Sequence, residues 1–356
     1  MADDSWDQGH RYLYDRSPAA AELLDLLAWM APAPVPLDLF VRHPDGLPAA
    51  LAAAARDPRA WEEAVDLLVR LGIVRRSPTH VLIANEQAHQ MVRGHGPCRS
   101  VEVQRLLEAD VPGRIVAAPA SWTWWRTMLA HVLTVADDVE NDPDRCAADN
   151  SGWLVDRAAT FLNEAGRRGD AIHLFERALA VIERIHGPES LSAASTLNNL
   201  GEALVDHDRA AEAVPVIERS LAIHERTEGE ELSVAVNLDS LAKAYSGLGR
   251  QPEAMSLSTR ALAIWEAALG PDHPDVGVSL HNLASAYIRT GRYDEAIPLL
   301  ERALAIDVAV YGPDDVSVAI SLKALGVSLR GAGRLQESVS AFERAQAIHD
   351  AAGTAS

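Results

Sequence analysis

The stretch GRYDEAIPLLERALAI, Gly291 to Ile306, recurs along the chain in paler copies: GRRGDAIHLFERALAV from Gly166, DRAAEAVPVIERSLAI from Asp208, GRQPEAMSLSTRALAI from Gly249 and GRLQESVSAFERAQAI from Gly333. Aligned on Ala171, Ala213, Ala254, Ala296 and Ser338, the copies are spaced by 42, 41, 42 and 42 residues. That period is too long for a heptad, and a fixed period of this length marks a solenoid of stacked units. Each unit holds two apolar stripes. In the fourth, Leu280, Leu283, Ala284 and Tyr287 fall on one face of a helix, and Ala296, Leu300, Ala303 and Leu304 on one face of the next. Gly291 stands between them as a helix stop, since glycine enters the left-handed backbone that closes a helix. A second break follows each of the first four pairs, at Gly187-Pro188, Gly229-Glu230, Gly270-Pro271 and Gly312-Pro313.

The unit LHNLASAYIRTGRYDEAIPLLERALAI resembles the tetratricopeptide repeat in the long form known from kinesin light chains, and the resemblance extends from Asn150 to about Ala352. It implies a mainly α fold: a right-handed α-solenoid of about five helical hairpins, with units near 152–193, 194–234, 235–276, 277–318 and 319–352. The second unit has Asp208 in place of the turn glycine, and the last has Ser338 and Gln346 where the others carry Ala and Leu. Terminal repeats diverge because one of their faces has no neighbour. Most motif residues pack hairpin on hairpin, so a binding site would lie on the first helix of each unit, away from its packing stripe.

One step round from that stripe stand His281, Ser285 and Arg289 in the fourth unit. The period gives Asp156, Thr160 and Glu164 in the first, Asn198, Glu202 and Asp206 in the second, Asp239, Lys243 and Gly247 in the third, and Lys323, Val327 and Gly331 in the fifth. Asn199, Asn282 and Arg330 lie close enough to reach inward. The face begins acidic and ends basic, and both lysines of a chain that carries thirty arginines fall on it. By resemblance, such a concave face takes a protein or peptide ligand, with an acidic side chain or C-terminal carboxylate near Lys243, Arg289 and Lys323. An uncapped solenoid end also permits self-association.

Ahead of the repeats the pattern changes. RSPAAAELLDLLAWMAPAPVPLDLF reads as a helix ending near Met30, a proline-rich break and a short helix from about Pro36. PRAWEEAVDLLVRL, Pro58 to Leu71, is amphipathic, with Asp57 placed as N-cap. IVRRSPTHVLI then reads as a two-stranded β-hairpin around Ser-Pro, followed by the helix EQAHQMVRGH. Helices followed by a two-stranded wing describe a small winged-helix domain over 1–96. Residues 97–149 form a helical connector with the Trp-rich helix SWTWWRTMLAHVL, and 150–352 the solenoid. Trp122, Trp124 and Trp125 beside Met128, Leu129 and Val132 read as packing. This combination resembles the C-terminal part of actinobacterial STAND proteins of the NB-ARC type, in which a nucleotide-binding domain precedes the winged helix and the repeats act as sensor. No G-x-x-x-x-G-K-[ST] phosphate loop occurs here, and Lys243 and Lys323 both lie in repeat helices. The sequence fits a naturally short relative and a piece of a longer protein alike.

The formal charge of −19 disfavours nucleic acid and anionic membrane, and residues 1–100 carry only −3 of it. The acidic N-terminus and the lack of a long apolar run predict a cytoplasmic protein with no membrane contact. Two cysteines, Cys98 and Cys146, fall short of the roughly four ligands of structural zinc and read as packed or exposed thiols. Asp137, Asp138, Glu140, Asp142 and Asp144 lack the spaced ligands of a calcium loop and read as a solvated linker. No H-E-x-x-H, C-x-x-C or G-x-S-x-G occurs, so no catalytic, metal or cofactor site is expected. The expected function is a non-enzymatic regulatory or sensor module that binds protein or peptide on the repeat groove. The alternative is a transcription factor using Arg70, Arg75, Arg76 and Arg93 at the wing, against which stands the acidity of that domain.

Overall fold

The computed structural model describes residues 2–84, 86–113, 115, 121–142, 146 and 150–354. Its mainly helical chain divides into one unit ending at Pro188 and a second beginning at Glu189. The first unit starts with α1 (Ala2–Arg16) and α2 (Pro18–Ala28), where Ser17 Oγ accepts the Ala20 amide at 3.3 Å and Pro18 opens the helix. A short strand β1 (Val35–Pro36), α3 (Leu37–Arg42), α4 (Ala49–Ala55) and α5 (Pro58–Arg70) follow. Asp57 caps α5 as its position predicts, accepting the Arg59 amide at 2.9 Å. Strands β2 (Val74–Arg76) and β3 (His80–Ile83) form the expected hairpin, but β1 also pairs with β3, giving an antiparallel sheet of order β1-β3-β2. The third strand leaves no alternation to read, being two residues long with a proline at the sheet edge.

Leu23, Leu24, Leu26, Phe40, Leu51 and Leu68 are buried in this part, with the Phe40 and Trp61 rings 5.9 Å apart. The buried Glu22 carboxylate accepts the Leu51 amide at 2.7 Å and so serves the start of α4, which has no cap of its own. Next come α6 (Glu86–His95), α7 (Ser100–Asp110) and α8 (Trp122–Asn141), then the first repeat hairpin, α9 (Ser151–Glu164) and α10 (Arg168–His186). The Trp-rich helix packs as expected. Trp125 is fully buried and stacks on Phe161 of α9 at 5.6 Å, Trp122 meets the same ring edge-on at 6.1 Å, and the Trp124 indole donates to Asp110 at 2.6 Å. On the same helix, buried His131 accepts the Ala31 amide on Nδ1 at 3.1 Å, which leaves Nε2 as the protonated nitrogen of the neutral ring.

The second unit is four hairpins: α11 (Leu191–Asp206) with α12 (Ala210–Glu225), α13 (Glu231–Gly247) with α14 (Gln251–Leu269), α15 (Pro274–Arg289) with α16 (Tyr293–Tyr311), and α17 (Val316–Gly331) with α18 (Leu335–Thr354). In each, the first helix is denoted A and the second B. The turns explain the recurring Gly-Arg. Gly249, Gly291 and Gly333 have φ of 77°, 73° and 81°, and Asp208 takes the same left-handed role at 58°, the one such non-glycine among the described residues. The next residue is always arginine, and its amide closes back five residues: Arg209 to Leu204, Arg250 to Tyr245, Arg292 to Tyr287 and Arg334 to Leu329, at 2.8–2.9 Å. Each arginine side chain then clasps the acid three residues on, Glu212, Glu253, Glu295 or Glu337.

The residue after that acid is the small one at the helix crossing, and Ala213, Ala254 and Ala296 are at most 1% exposed. Ser338 replaces alanine in the last hairpin by donating its hydroxyl to the Gly326 carbonyl at 2.7 Å. Successive A helices touch one another while successive B helices stand further apart, so this unit curves with its A helices inside.

Two measurements test these readings. Burial pushes His131 down from the usual 6.5 to about 4. The unfolded chain therefore takes up a proton first, and stability falls as pH drops below 6.5 and levels off near 4, by roughly 3 kcal/mol. Thermal melts across that range should lose most of this dependence in His131→Gln. Asp208→Gly should raise the urea midpoint of the second unit, corresponding to about 0.5–1 kcal/mol, by removing a Cβ from left-handed backbone.

Candidate functional site

The A helices present two kinds of surface, and the sequence-derived candidates divide between them. Asn198, Asp239, His281 and Lys323 occupy one register position, each 26 residues before a partner position on its own B helix: His224, Trp265, Asp307 and His349. Asp239 shows what this position does. It is 6% exposed and accepts three hydrogen bonds, from the Trp265 indole at 2.9 Å and from Ser279 and Asn282 of the next A helix, both at 3.1 Å. Burial holds its carboxyl above the usual range, opposed by those three donors and by Lys243.

One hairpin further on, His281 meets the Ser321 hydroxyl at 2.6 Å and lies 3.9 Å from Asp307, to which Ser321 donates. In the last hairpin Lys323 Nζ donates to His349 Nε2 at 2.7 Å, which requires that nitrogen to be unprotonated. At the other end, Asn198 is buried and its Oδ1 has no hydrogen-bond donor among the described residues. His224 is buried beside Glu230 at 3.3 Å, and burial lowers its pKa. This row is therefore a polar seam that runs from buried Asn198 and Asp239 through half-buried His281 to exposed Lys323, and Asn198 and Asp239 lie beneath the surface rather than on an open face. In the first unit Asp156, at the same register, is also buried and paired with Arg157 at 2.8 Å.

The open face lies one turn to either side. Val278, Ser285 and Arg289 are at i, i+7 and i+11 of α15 and all are exposed, as are Val236, Lys243 and Gly247 of α13 at the same spacing. Arg289 and Ser285 make no ion pair or hydrogen bond among the described residues. Lys323 is exposed despite its histidine, and Arg330 is exposed with its guanidinium 6.0 Å from the Phe342 ring. Glu202 is half-buried and accepts the Ser240 hydroxyl at 2.7 Å, while Asn199 is half-buried on the same helix.

The sequence reading missed the apolar part of this face. Leu191, Leu232, Val236, Val278, Val316 and Ile320 are exposed on the first two turns of successive A helices, Ile320 to 58%. The signal was present in the period: Val236, Val278 and Ile320 are one position of the repeat, 42 residues apart. Inside the curve the second unit thus offers an apolar row, a middle carrying Lys243 and Ser285, and Arg289 toward the A-helix C-terminus.

Elsewhere the supposed sites are already engaged. Arg76 pairs with Glu62 at 2.6 Å and with Asp66 at 3.2 Å, and Arg93 pairs with Asp138 and lies 4.7 Å over the Trp29 ring, which leaves Arg70 and Arg75 exposed. The acidic run read as a linker instead ends α8, and Asp137 and Glu140 both pair with Arg177 of α10, Asp137 at 2.6 Å. Asp144 lies outside the described residues. Among those residues no three metal-ligating side chains converge, and no helix is long and apolar enough to cross a membrane.

Stacked A/B hairpins closed by a left-handed turn, with small residues at every crossing, define a helical-repeat scaffold. The sequence profile of the tetratricopeptide repeat matches residues 151–226, 236–307 and 275–351, more than half of the chain, and the protein belongs to that family. Repeats of this family generally mediate protein–protein interaction and are typically non-catalytic. The chain is similar to the kinesin light chain of Podosopora anserina with nearly identical TPR-like repeats, at 26% identity and a TM-score of 0.49 over 58% of this chain and 100% of that one. BtubC (BKLC) from P. vanneervenii matches at 21% identity and a TM-score of 0.51 over 62% of this chain and 88% of that one. Aspartyl phosphate phosphatase F from Bacillus subtilis matches at 14% and 0.50 over 92% of this chain and 74% of its own. The last two are likenesses of fold. No curated protein matches.

The polar seam predicts an asymmetry between two substitutions. Asp239→Ala leaves three donors of two A/B layers unanswered and should cost roughly 2–4 kcal/mol in urea unfolding. Asp239→Asn, which keeps an acceptor and removes the buried charge, should cost markedly less.

Proposed function

We propose that this protein is a non-enzymatic regulatory module that holds a polypeptide ligand against the A helices of its repeats. The observation that carries this reading is the open inner face. An exposed apolar row crosses successive A helices and continues into Lys243 and Arg289, two cations that make no ion pair among the described residues. A ligand segment with apolar side chains and a side-chain or terminal carboxylate matches both halves, the apolar groups on Val236, Val278 and Ile320 and the carboxylate at Lys243, Arg289 and Lys323. Ser285, Arg330, Glu202, His281, Asn282 and Asn199 complete the polar part of the surface. Asn198 and Asp239 support it from beneath.

In the same reading 1–96 is a winged-helix domain and 97–149 a connector to the solenoid of 150–352, as in the STAND relatives. The order helix, strand, three helices, strand, strand from α2 to β3 and the sheet order β1-β3-β2 support it. The coupling element is α8, whose Trp125 stacks on the first repeat hairpin, and ligand binding acts by favouring one arrangement of winged helix on that hairpin. A cytoplasmic setting is part of the proposal. For DNA binding the wing offers Arg70 and Arg75 alone, since Arg76 is already paired with two carboxylates.

The test compares proteins recovered from host lysate by the wild-type chain, by Lys243→Glu/Arg289→Glu/Lys323→Glu and by Val278→Asp/Ile320→Asp. A partner lost at least about tenfold in both variants, with helicity and melting temperature unchanged, is the expected result, since charge reversal and apolar loss each remove on the order of 1.4 kcal/mol or more. Partners retained equally by all three chains would refute the groove.

A further inference from the structure

The two cysteines of the chain, 48 residues apart in sequence, meet in the first unit with their Sγ atoms 3.9 Å apart and no bond between them. Two sulfurs in van der Waals contact need only a small approach to bond, and a chance meeting of the sole pair in 356 residues is a poor account of it. The surroundings differ between the partners. Cys98 is half-exposed on the stretch that follows α6, where the neighbouring Pro97 carbonyl accepts the Trp29 indole at 2.9 Å. Cys146 is 2% exposed, and its amide closes on the Asp142 carbonyl at 2.9 Å, just beyond α8. Arg93, held over Trp29 and by Asp138, acts electrostatically on both thiols, so a fixed cation stands beside the pair. The Ser100 side chain is fully buried and also acts on Cys146.

We propose that Cys98 and Cys146 are an oxidation-responsive dithiol whose co-substrate is a hydroperoxide. Cys98, the accessible sulfur beside Arg93, attacks as thiolate. Its Sγ bonds to the distal peroxide oxygen, the O–O bond breaks, and the alcohol or water leaves with a proton, giving Cys98 sulfenic acid. Cys146 Sγ then attacks Cys98 Sγ; the S–O bond breaks, the S–S bond forms, and the hydroxide leaves as water with the Cys146 proton. In sum two thiols are oxidised by two electrons and the peroxide is reduced by two. Burial and the adjoining sulfur push the Cys146 thiol up to about 11, which leaves the first step to Cys98. The product ties the end of α6 to the stretch after α8 and so fixes the N-terminal elements to the helix that stacks on the first repeat hairpin. This site does not depend on the ligand groove.

The experiment treats the full-length chain with hydrogen peroxide and follows free thiols, intact mass and a non-reducing peptide map. The expected result is a monomer that loses both thiols together with the mass of two hydrogens. Its map links the Cys98 peptide to the Cys146 peptide, and dithiothreitol reverses the change. Cys146→Ser should stop at a dimedone-reactive Cys98, and Cys98→Ser should lose its remaining thiol about tenfold more slowly than wild type loses Cys98, because burial denies it the oxidant. Survival of both thiols under peroxide that oxidises the urea-unfolded chain would overturn the proposal. So would crosslinks that join only separate chains.

Discussion

A helix that must reverse direction within three residues, and do so identically in every repeat, is the constraint on which the second unit is built. The left-handed residue ends the A helix, the following arginine amide satisfies the carbonyl that the helix end would leave unpaired, and its guanidinium clasps the acid that opens the B helix. Each exposed ion pair contributes a fraction of a kcal/mol by itself. Its larger effect is to fix where the B helix begins, and hence which residue arrives at the crossing. Alanine, or a serine bonded to the facing backbone, is the residue buried there.

With the hairpin fixed, stacking decides the fate of polar side chains on the A helices. The side facing both the partner B helix and the next A helix is removed from water, and a polar group placed there survives only if its bonds are made. Asp239 makes three, and His281, Ser321 and Asp307 share theirs. Lys243, one turn beyond Asp239, escapes the seam and stays in water. The interior and the inner face are thus separated by a single helical turn, and buried polar groups set the stagger between layers while the exposed ones are left for recognition.

The period, the hairpin and the turn chemistry were legible because they are local: glycine, arginine and acid sit at fixed offsets, and the apolar stripes repeat with them. Even the departure at Asp208 preserved the backbone it stands in for. What the sequence hid were relations between elements. A helical wheel gives a direction around one axis and not which side the next hairpin will cover, so Asp239 and Lys243, four apart, read as equals. Val278 and Ile320 were hidden for the opposite reason, since an apolar residue in an amphipathic helix is read as packing until its exposure is known. The helix AALAAAA has no polar face to give it a period, the strand Val35–Pro36 is too short to alternate, and the meeting of Cys98 with Cys146 spans two intervening helices.

The seam ties every pair of neighbouring A helices in the second unit: Glu202 takes the Ser240 hydroxyl between the second and third, Asp239 holds Ser279 and Asn282 between the third and fourth, and His281 meets Ser321 between the fourth and fifth. An array held by neighbour contacts has its spacing fixed layer by layer. The second unit is in this sense a ruler, on which Val236, Val278 and Ile320 stand at one graduation per hairpin. A segment laid along it would be measured against intervals set by the seam and not by its own shape.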